Sequence, residues 1–412
     1  MSKENIITAI DIGSSKISTL IANVIEERVS VIGVSTVPSK GIKKGTVVDI
    51  DEAVEAISDS LEAAERMAGY SINSAFITVG GNHIESVSSH GVVAVSNQGA
   101  EITPHDVERV TEAAQALSIP SSKEIIHVIP RDFIVDKQEG IKDPIGMSGI
   151  RLEVVTEIIT ASTTSLRNII KCVQQVGVDV DAPVFTGIAS AGSVLSSTEK
   201  ELGTVLVDIG GGTTSITIYH DSSPVYASVL PIGGQHITND LAIGLRSSID
   251  IAEQVKLKLS SIAQDEITEE DIDFAEFGLD TKDVSVKLIN QIIGERLKEI
   301  FTLVATEVNK SGYVGKVPSG IVLTGGASNT FNAVKMAKQQ LRVPVRIGTP
   351  SGVTGLIDEI QGPAYAGVVG ALLYGTQFAE ESSSGINLKM MDAGEAKTIL
   401  KKALGFLKGL MP

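Results

Sequence analysis

The stretch DIGSSKISTLI at residues 11–21 returns later in the chain as DIGGGTTSITI at residues 208–218. In both copies an aspartate ends a β-branched run, a glycine-containing turn follows and a second run begins. Around the first copy three short strands are predicted, at residues 6–13, 16–25 and 28–37. The same strand–turn–strand–turn–strand unit is predicted over residues 203–234. The chain therefore carries two copies of one β-meander, predicted to form two lobes whose glycine turns face each other across a cleft.

The composition limits the function classes. The chain has 412 residues with 42% hydrophobic side chains, enough to bury two cores. A net charge of −16, without a Lys/Arg cluster before the C-terminus, argues against nucleic acid as a partner. The single cysteine, Cys172, excludes a disulfide framework and indicates a reducing cytoplasm. No apolar run reaches the ~18 residues of a membrane span.

Helical periodicity around the two copies predicts an α/β fold. Apolar residues recur at helical spacing in residues 51–68 and 164–176, which predicts crossover helices. Long helices are predicted at residues 236–262 and 284–310, and a buried strand entering a glycine turn at 319–329. The predicted class is α/β, with duplicated β-meander/α subdomains in two lobes.

One region departs from this layout. Alternating strands and a helix that starts at Thr103–Pro104 predict an inserted α+β subdomain. A small, polar stretch near the end of the chain predicts a flexible linker. The predicted units are residues 1–81 with 161–202 for the first lobe, 82–160 for the inserted subdomain, 203–378 for the second lobe, 379–396 for the linker and 397–412 for a C-terminal helix.

Both glycine turns have the composition of a phosphate-binding loop. Without a Cβ, successive backbone N–H groups can close around phosphate oxygens, and an aspartate at the strand end can hold the water shell of Mg²⁺. One such turn can be a plain hairpin, but two in a duplicated frame favour a nucleotide site. The predicted nucleotide-binding residues in and after these turns are Asp11, Gly13, Ser14, Ser15, Lys16, Asp208, Gly210, Gly211, Gly212, Thr213, Thr214, Gly233 and Gly234, with Asp11 and Asp208 for Mg²⁺ through water.

Two further segments are predicted to hold the adenosine. The turn LTGGAS carries Gly325, Gly326 and Ala327, whose small side chains would let an adenine ring lie against the backbone. Glu253 and Lys256 are three residues apart on one helix face, so both can reach one ribose. A plain helix start after the turn, and a solvated Glu–Lys pair, are the alternatives.

The last sixteen residues, KTILKKALGFLKGLMP at 397–412, form the second strong signal. At about 100° per residue the apolar side chains fall within an arc of roughly 160°, opposite lysines and glycines. This segment has no acidic residue in an acidic protein, which favours a helix on an anionic membrane over one packed on the protein body. The predicted membrane-binding residues are Lys397, Ile399, Leu400, Lys401, Ala403, Leu404, Phe406, Leu407, Lys408, Leu410 and Met411.

These motifs carry a resemblance to a known family. DIGSSK, DIGGGTT, LTGGAS and GGQHITNDLAIGL resemble the actin, chaperone and sugar-kinase superfamily. Within it, residues 125–154 and the basic amphipathic C-terminus resemble the FtsA family, whose inserted subdomain is called 1C. The resemblance implies a two-lobed actin-like fold of four subdomains, ATP with Mg²⁺, head-to-tail polymers and recruitment of the tubulin-like division protein FtsZ to the membrane.

Hydrolysis is not evident in the sequence. A kinase of this superfamily needs an aspartate base, and an actin-type ATPase needs a polar side chain that orients water. The stretch EIITASTTSLRN at residues 157–168 offers only hydroxyls such as Thr160 and Ser162 after the strand. We expect ATP binding with slow or negligible hydrolysis, so that ATP acts as a ligand that sets the lobe angle.

Three functions follow as hypotheses. The first is an ATP-binding polymer that tethers FtsZ to the cytoplasmic face of the membrane at the division site. Its implied partners are the FtsZ C-terminal tail, further copies of the chain, anionic lipids and other division proteins at the inserted subdomain. Arg296 could receive an acidic tail, or be a plain exposed arginine. The other hypotheses are a pilus-assembly adaptor and a small-molecule kinase.

Overall fold

The computed structural model describes residues 5–26, 28–95, 101–116, 119–262, 272–279 and 284–383. The membrane helix predicted at residues 397–412 lies outside these ranges, as do residues 384–396 of the predicted linker. None of the helices within the described ranges combines the length and the apolar composition that crossing a bilayer requires.

The N-terminal part of the first lobe contains the first meander and its covering helix. Its elements are β1 (Asn5–Ile12), β2 (Lys16–Ile25), β3 (Arg28–Pro38), β4 (Ile42–Lys43), β5 (Thr46–Val47), α1 (Ile50–Ala68) and β6 (Ser74–Val79). The inserted subdomain follows with β7 (Glu85–Ala94), α2 (Pro104–Gln115), β8 (Lys123–Val135), β9 (Gln138–Ile141) and β10 (Arg151–Ser162).

The chain then completes the first lobe and crosses to the second. This crossing uses α3 (Thr163–Gln175), β11 (Asp179–Phe185), α4 (Thr186–Val194) and α5 (Ser197–Leu202). The second lobe contains β12 (Thr204–Ile209), β13 (Thr214–His220), β14 (Ser223–Leu230), α6 (Gly234–Leu245), α7 (Ile249–Ser261), α8 (Val286–Lys310), β15 (Ile321–Thr324), α9 (Ala333–Leu341) and β16 (Val345–Ile347). The chain returns through β17 (Thr354–Gly355) and α10 (Ala366–Ser383).

The two lobes have matching sheets. The strand order is β11-β6-β1-β2-β3-β17 in the first lobe and β16-β15-β12-β13-β14 in the second. In each lobe the first meander strand pairs antiparallel with the second and parallel with a strand from later in that lobe, β6 or β15. This correspondence confirms the duplicated β-meander predicted from the two Asp-Ile-Gly stretches.

Local sequence signals set the helix ends. α1 begins after Asp49, whose side chain accepts the Glu52 N–H, and ends at Gly69 in the left-handed region with φ 75°. α2 begins at the predicted cap, where Thr103 and Asp106 satisfy each other's N–H groups. These caps occur where the sequence places a small polar residue before a helix or a glycine after it.

The segment predicted as one helix at residues 236–262 is two helices, so that prediction was wrong. α6 closes at Arg246, which adopts a left-handed conformation with φ 51°. Ser248 then accepts the Ile251 N–H and starts α7. At the C-terminus α10 continues to Ser383, so residues 379–383, predicted as linker, are helical.

The inserted subdomain is joined to the second lobe by a continuous sheet. β7 pairs with β14 at Glu85 and Ser228, which extends the second sheet in the order β14-β7-β10-β8-β9. Beside this bridge the Ala227 N–H donates to Ser86 Oγ at 2.8 Å. One hydrophobic core is shared by the insert, the segment around the start of α4 and the second lobe. Its members include Ile84, Ile129 and Ile159 of the insert, Phe185 at the end of β11, Ile188 in α4, and Leu206, Tyr219 and Ala227 of the second lobe. The insert thus interrupts the first lobe in sequence, while its sheet is continuous with the sheet of the second lobe.

α4 and α10 cross with their backbones in contact between the lobes. α10 buries Val368 and Leu372 in the core of the first lobe, while α4 leads from β11 into the second lobe. An ideal Cβ on Gly370 would lie only 1.7 Å from the carbonyl oxygen of Ala189. The glycine therefore permits the close crossing.

Buried His127 makes stability depend on pH. Its Nε2 accepts the Phe185 N–H at 2.9 Å, and burial lowers its pKa from 6.5 to about 4. The unfolded chain therefore binds a proton more readily than the folded chain between these pH values, so stability is lost as pH falls through this window. We expect acidification from pH 7 to 4 to cost the wild type about 3 kcal/mol more than a His127→Gln variant.

Urea unfolding of both proteins across this pH range measures the difference. Glutamine keeps an acceptor near the Phe185 N–H but does not titrate, so other acidic groups affect both proteins equally. Parallel pH curves for the two proteins would show that His127 is not held neutral.

Candidate nucleotide site

The first phosphate turn joins β1 to β2. It is closed by a hydrogen bond from the Gly13 N–H to the carbonyl oxygen of Lys16 at 3.1 Å. Asp11, at the end of β1, accepts a hydrogen bond from Thr78 Oγ1 at 2.5 Å. Burial raises the pKa of the Asp11 carboxyl, while the Thr78 hydrogen bond and the charge of Lys16 oppose that rise.

The second phosphate turn repeats this geometry between β12 and β13. The Gly210 N–H donates to the carbonyl oxygen of Thr213 at 2.9 Å. Asp208 Oδ2 accepts a hydrogen bond from Ser190 Oγ, on α4, at 2.5 Å. Burial is the main cause that raises the pKa of Asp208 to about 6, and the neighbouring carboxylate of Asp11 raises it further. The two aspartates thus lie near each other, one on each lobe.

The two turns touch across the cleft. An ideal Cβ on Gly211 would lie 2.7 Å from Ser15 Oγ, and one on Gly212 would lie 2.8 Å from Ser14 Oγ. Gln235 Nε2 also donates to the carbonyl oxygen of Ser14 at 3.2 Å. The structure therefore brings the two predicted phosphate turns together, and glycine is what permits their close approach.

Gly233 and Gly234 support the second turn from the start of α6. The Gly234 N–H donates to the carbonyl oxygen of Gly210 at 2.9 Å, and the Gln235 N–H donates to that of Gly211 at 2.8 Å. An ideal Cβ on Gly233 would lie 2.5 Å from Gly210 O. In this conformation these N–H groups hold the turn in place.

The predicted adenosine turn lies against the second aspartate. Gly325 has φ 83° and ψ 160°, and an ideal Cβ there would lie 2.3 Å from Asp208 Oδ1. Gly326 and Ala327 follow in a short 3₁₀ turn, and an ideal Cβ on Gly234 would meet the Ala327 Cβ at 2.8 Å. The adenosine turn is therefore packed against both Asp208 and the start of α6.

Glu253 and Lys256 form a network beside α6. Lys256 Nζ donates to Glu253 Oε2 at 2.6 Å and to Thr238 Oγ1 at 2.9 Å. Thr238 Oγ1 in turn lies 3.2 Å from the carbonyl oxygen of Gly234. Lys256 is buried whereas Glu253 is half-exposed, so the carboxylate is the more accessible of the pair.

Two of the predicted site residues form hydrogen bonds within the second lobe. Thr214 Oγ1 donates to the carbonyl oxygen of Ile232 at 2.8 Å. Arg296 donates through Nε and Nη2 to both oxygens of Asp240, at 2.5 and 2.9 Å, and through Nη1 to Glu299 at 2.5 Å. An acidic partner at Arg296 would have to compete with those two carboxylates.

The donor set fits Mg²⁺ held mainly by water and phosphate. Asp11 and Asp208 place two carboxylates near each other, and a divalent cation would offset both the burial and the repulsion that raise the pKa of Asp208. Mg²⁺ usually takes one or two carboxylates and keeps several waters. Within the described ranges no group of three or more His, Cys, Asp or Glu forms a fuller cage.

Sequence reasoning missed several residues around the site. Thr78 and Ser190 hold the two aspartates, Gln235 bridges the lobes, and Lys16 Nζ lies 3.5 Å from the ring centroid of Tyr365. Single hydroxyl and aromatic residues carry no motif. Only the pairing of β6 with β1 would have indicated Thr78, because Ile10 lies opposite Ile77 in that ladder.

The hydroxyls considered for water orientation have structural partners: one caps a helix of the first lobe and the other bonds within the insert. Ser162 caps α3, and Thr160 Oγ1 donates to the carbonyl oxygen of Glu85 at 3.4 Å. Thr186, at the start of α4, instead lies in the cleft, since the ideal Cβ of Gly367 would contact both its Cγ2 and Asp11 Oδ1. The position of α4 beside Asp11 could not be predicted from the order of the elements in the sequence.

Comparison with known proteins gives consistent matches. A family model described as "SHS2 domain inserted in FTSA" matches residues 81–160, and one described as "Cell division protein FtsA" matches residues 205–370. A cell division protein FtsA from Pseudomonas aeruginosa is 41% identical over 381 residues, or 92% of this chain and 91% of that relative.

Two solved structures share the fold. A chain of a "PilM-PilN type IV pilus biogenesis complex" has a TM-score of 0.63 at 15% identity, covering 90% of this chain and 98% of that chain. MreB 5 of Spiroplasma citri bound to AMPPNP has a TM-score of 0.54 at 12% identity, covering 93% of this chain and 99% of that chain. At these identities the likeness establishes an actin-like fold.

Proposed function

Because the chain belongs to the FtsA family of cell division proteins, we propose that it binds ATP, polymerises and tethers the FtsZ ring to the inner face of the cytoplasmic membrane. The observation that carries the nucleotide part is the contact of two duplicated glycine turns, each preceded by an aspartate whose pKa is raised by burial. Backbone N–H groups of such turns can form anion-binding concavities, which supports a chain of phosphates held by the two turns together.

The residues of the cleft have separate roles in this proposal. The phosphates contact the turns beginning at Gly13 and Gly210, and Lys16 supplies positive charge. Asp11 and Asp208 hold the water shell of Mg²⁺, which neutralises phosphate charge when it is bound. Gly326 and Ala327 face the base, and Glu253 with Lys256 faces the ribose. The AMPPNP bound by the MreB relative supports a nucleotide in this cleft.

ATP acts here as a ligand that fixes the lobe angle, with slow or negligible hydrolysis. Each lobe supplies one aspartate and one turn, so a ligand that contacts both turns favours the closed arrangement. Asp11 and Asp208 each accept a hydrogen bond from a hydroxyl, that of Thr78 and that of Ser190, and in this proposal both carboxylates hold the water shell of Mg²⁺ and do not act as a base. Hydroxyls are weak bases compared with a carboxylate or an imidazole.

The membrane and partner assignments rest on the sequence and the family. The basic amphipathic segment at residues 397–412 supplies the anchor, and head-to-tail polymers present many anchors at once, which raises avidity. The proposed partners are the FtsZ C-terminal tail, further copies of the chain, anionic lipids and, at the inserted subdomain, other division proteins. Arg296 is proposed for the FtsZ tail only if Asp240 and Glu299 release it.

Liposome co-sedimentation tests the tether. We expect the full chain to pellet with anionic but not neutral vesicles, more strongly with Mg-ATP, and a truncation ending at Glu395 to stay in solution. Leu407→Asp should reduce pelleting about tenfold or more, while Gly409→Asp, with the same added charge on the polar face, should reduce it far less.

The controls separate the hypotheses. Equal pelleting of the full chain and the truncation would contradict the membrane anchor. A full chain that stays in solution but binds ATP would favour the adaptor role suggested by the fold shared with the pilus protein. Transfer of phosphate to a small acceptor would favour a kinase.

A further inference from the structure

Lys16 is held in the cleft by an aromatic ring. Its Nζ lies 3.5 Å from the centroid of the Tyr365 ring. Burial lowers the pKa of Lys16, and the charges of Asp11 and Asp208 partly oppose this effect. Across the described parts of the chain, however, Lys16 forms no ion pair within 4.0 Å. Its ammonium group therefore rests on a ring and is not neutralised by a carboxylate.

This arrangement has a consequence for an anionic ligand. A lysine in a tight ion pair must break that pair before it contacts a phosphate. An aromatic ring attracts the ammonium group but carries no net charge, so it does not neutralise the lysine. The ring contacts one side of the ammonium group and leaves N–H donors pointing elsewhere. Lys16 is thereby positioned beside the first phosphate turn by the ring, without a carboxylate partner within 4.0 Å in the described parts of the chain.

The ring itself is tied to the other parts of the site. Tyr365 ends a short 3₁₀ turn that begins at Pro363. The carbonyl oxygen of Pro363 accepts the Gly325 N–H at 3.0 Å and the Thr324 hydroxyl at 3.2 Å. On the opposite side Thr36 Oγ1 lies 3.4 Å from the Tyr365 hydroxyl. One short segment thus contacts the adenosine turn and the lysine of the first phosphate turn.

We propose that Tyr365 is a positioning residue for the phosphates of the nucleotide, acting through the ammonium group of Lys16. The inference rests on the proposed nucleotide binding, and it adds a residue that lies outside both glycine turns. Because Tyr365 acts through Lys16, its effect should be confined to phosphorylated ligands. Adenosine, which has no phosphate, should bind independently of the ring's electronic character.

A fluorination series tests this without changing the shape of the side chain. Tyr365→Phe should bind Mg-ATP within about twofold of wild type, because the ring face is kept. Replacing that phenylalanine by its mono-, di- and trifluorinated forms weakens the negative ring face stepwise. ATP affinity should fall stepwise, by about five- to tenfold at trifluorophenylalanine, while adenosine affinity stays constant.

A double-variant measurement gives the control. In a Lys16→Met background ATP affinity should not change across the fluorinated series at position 365, because the cation is absent. A flat ATP series in the presence of Lys16, or an equal loss for adenosine and ATP, would overturn the proposal and indicate a packing role. A wild-type protein that binds neither ligand would overturn the proposed nucleotide binding itself, which is a different result.

Discussion

Replacing Gly370 by alanine is expected to lower the free energy of unfolding by about 3 kcal/mol or more. The new Cβ would lie 1.7 Å from the carbonyl oxygen of Ala189 and 2.2 Å from its carbonyl carbon. Both atoms belong to the backbone of α4, so no side-chain rotation can relieve the overlap. The gain of helix propensity from glycine to alanine, about 1 kcal/mol, is too small to compensate.

Gly192 provides the matched control within the same helix pair. It lies in α4 and is exposed, and among the described residues no atom outside the helix would lie within 4 Å of an added Cβ. Gly192→Ala should therefore be neutral or stabilise the protein by about 0.5–1 kcal/mol. Urea unfolding of both variants gives the comparison. If Gly370→Ala unfolded at the wild-type midpoint, α4 and α10 would not cross at the distance described here.

The same variant has a functional consequence. α4 carries Ser190, which holds Asp208, and α10 carries Gly367, which adjoins Asp11. Separating these helices would move the two aspartates that the cleft brings together. A Gly370→Ala protein that remains folded should therefore bind Mg-ATP less tightly than Gly192→Ala.

The repeat was predictable because residues that are close together in the sequence determine it. Asp11 and Asp208 end β-branched runs before glycine turns, and strand pairing converts that likeness into matching sheets. The cap at Thr103 was predictable for the same reason, since a short polar side chain before a helix satisfies its first N–H groups. These features depend on neighbours in the chain.

The placement of the insert was not predictable, because it depends on residues far apart. Glu85 pairs with Ser228, and Ile129 shares a core with Leu206. The sequence pattern of an edge strand or of a buried isoleucine does not show which lobe that strand or side chain packs against. The break at Arg246 was missed because apolar spacing continues through it, and only the left-handed backbone conformation reveals the end of α6.

The roles of Thr78, Ser190 and Tyr365 were missed for a related reason. Each contributes one contact to the site, and each belongs to an element outside the glycine turns. A hydroxyl or a ring has many structural uses, so its residue type alone predicts no partner. Such supporting residues are recognised once the strands and helices that carry them are placed.

Gly325→Ala is expected to destabilise the protein by about 3 kcal/mol and to weaken Mg-ATP binding about tenfold or more. Gly325 has φ 83° and ψ 160°, a region that is essentially restricted to glycine. Its added Cβ would also lie 2.3 Å from Asp208 Oδ1 and 2.6 Å from the carbonyl oxygen of Ile209. Either the turn or the Asp208 carboxylate must move, and the carboxylate is the proposed Mg²⁺ residue.

The neighbouring glycine separates this effect from a general sensitivity of the turn. Within the described part of the chain, an added Cβ on Gly326 would meet only the Ala364 Cβ, at 3.6 Å, which is ordinary contact. Gly326→Ala should therefore unfold within about 0.5 kcal/mol of wild type. Urea unfolding without nucleotide, followed by calorimetric titration with Mg-ATP, measures both variants. Equal stability of the two would contradict the contact between Gly325 and Asp208. A destabilised Gly325→Ala protein with wild-type affinity would instead show that Asp208 does not hold the nucleotide's Mg²⁺.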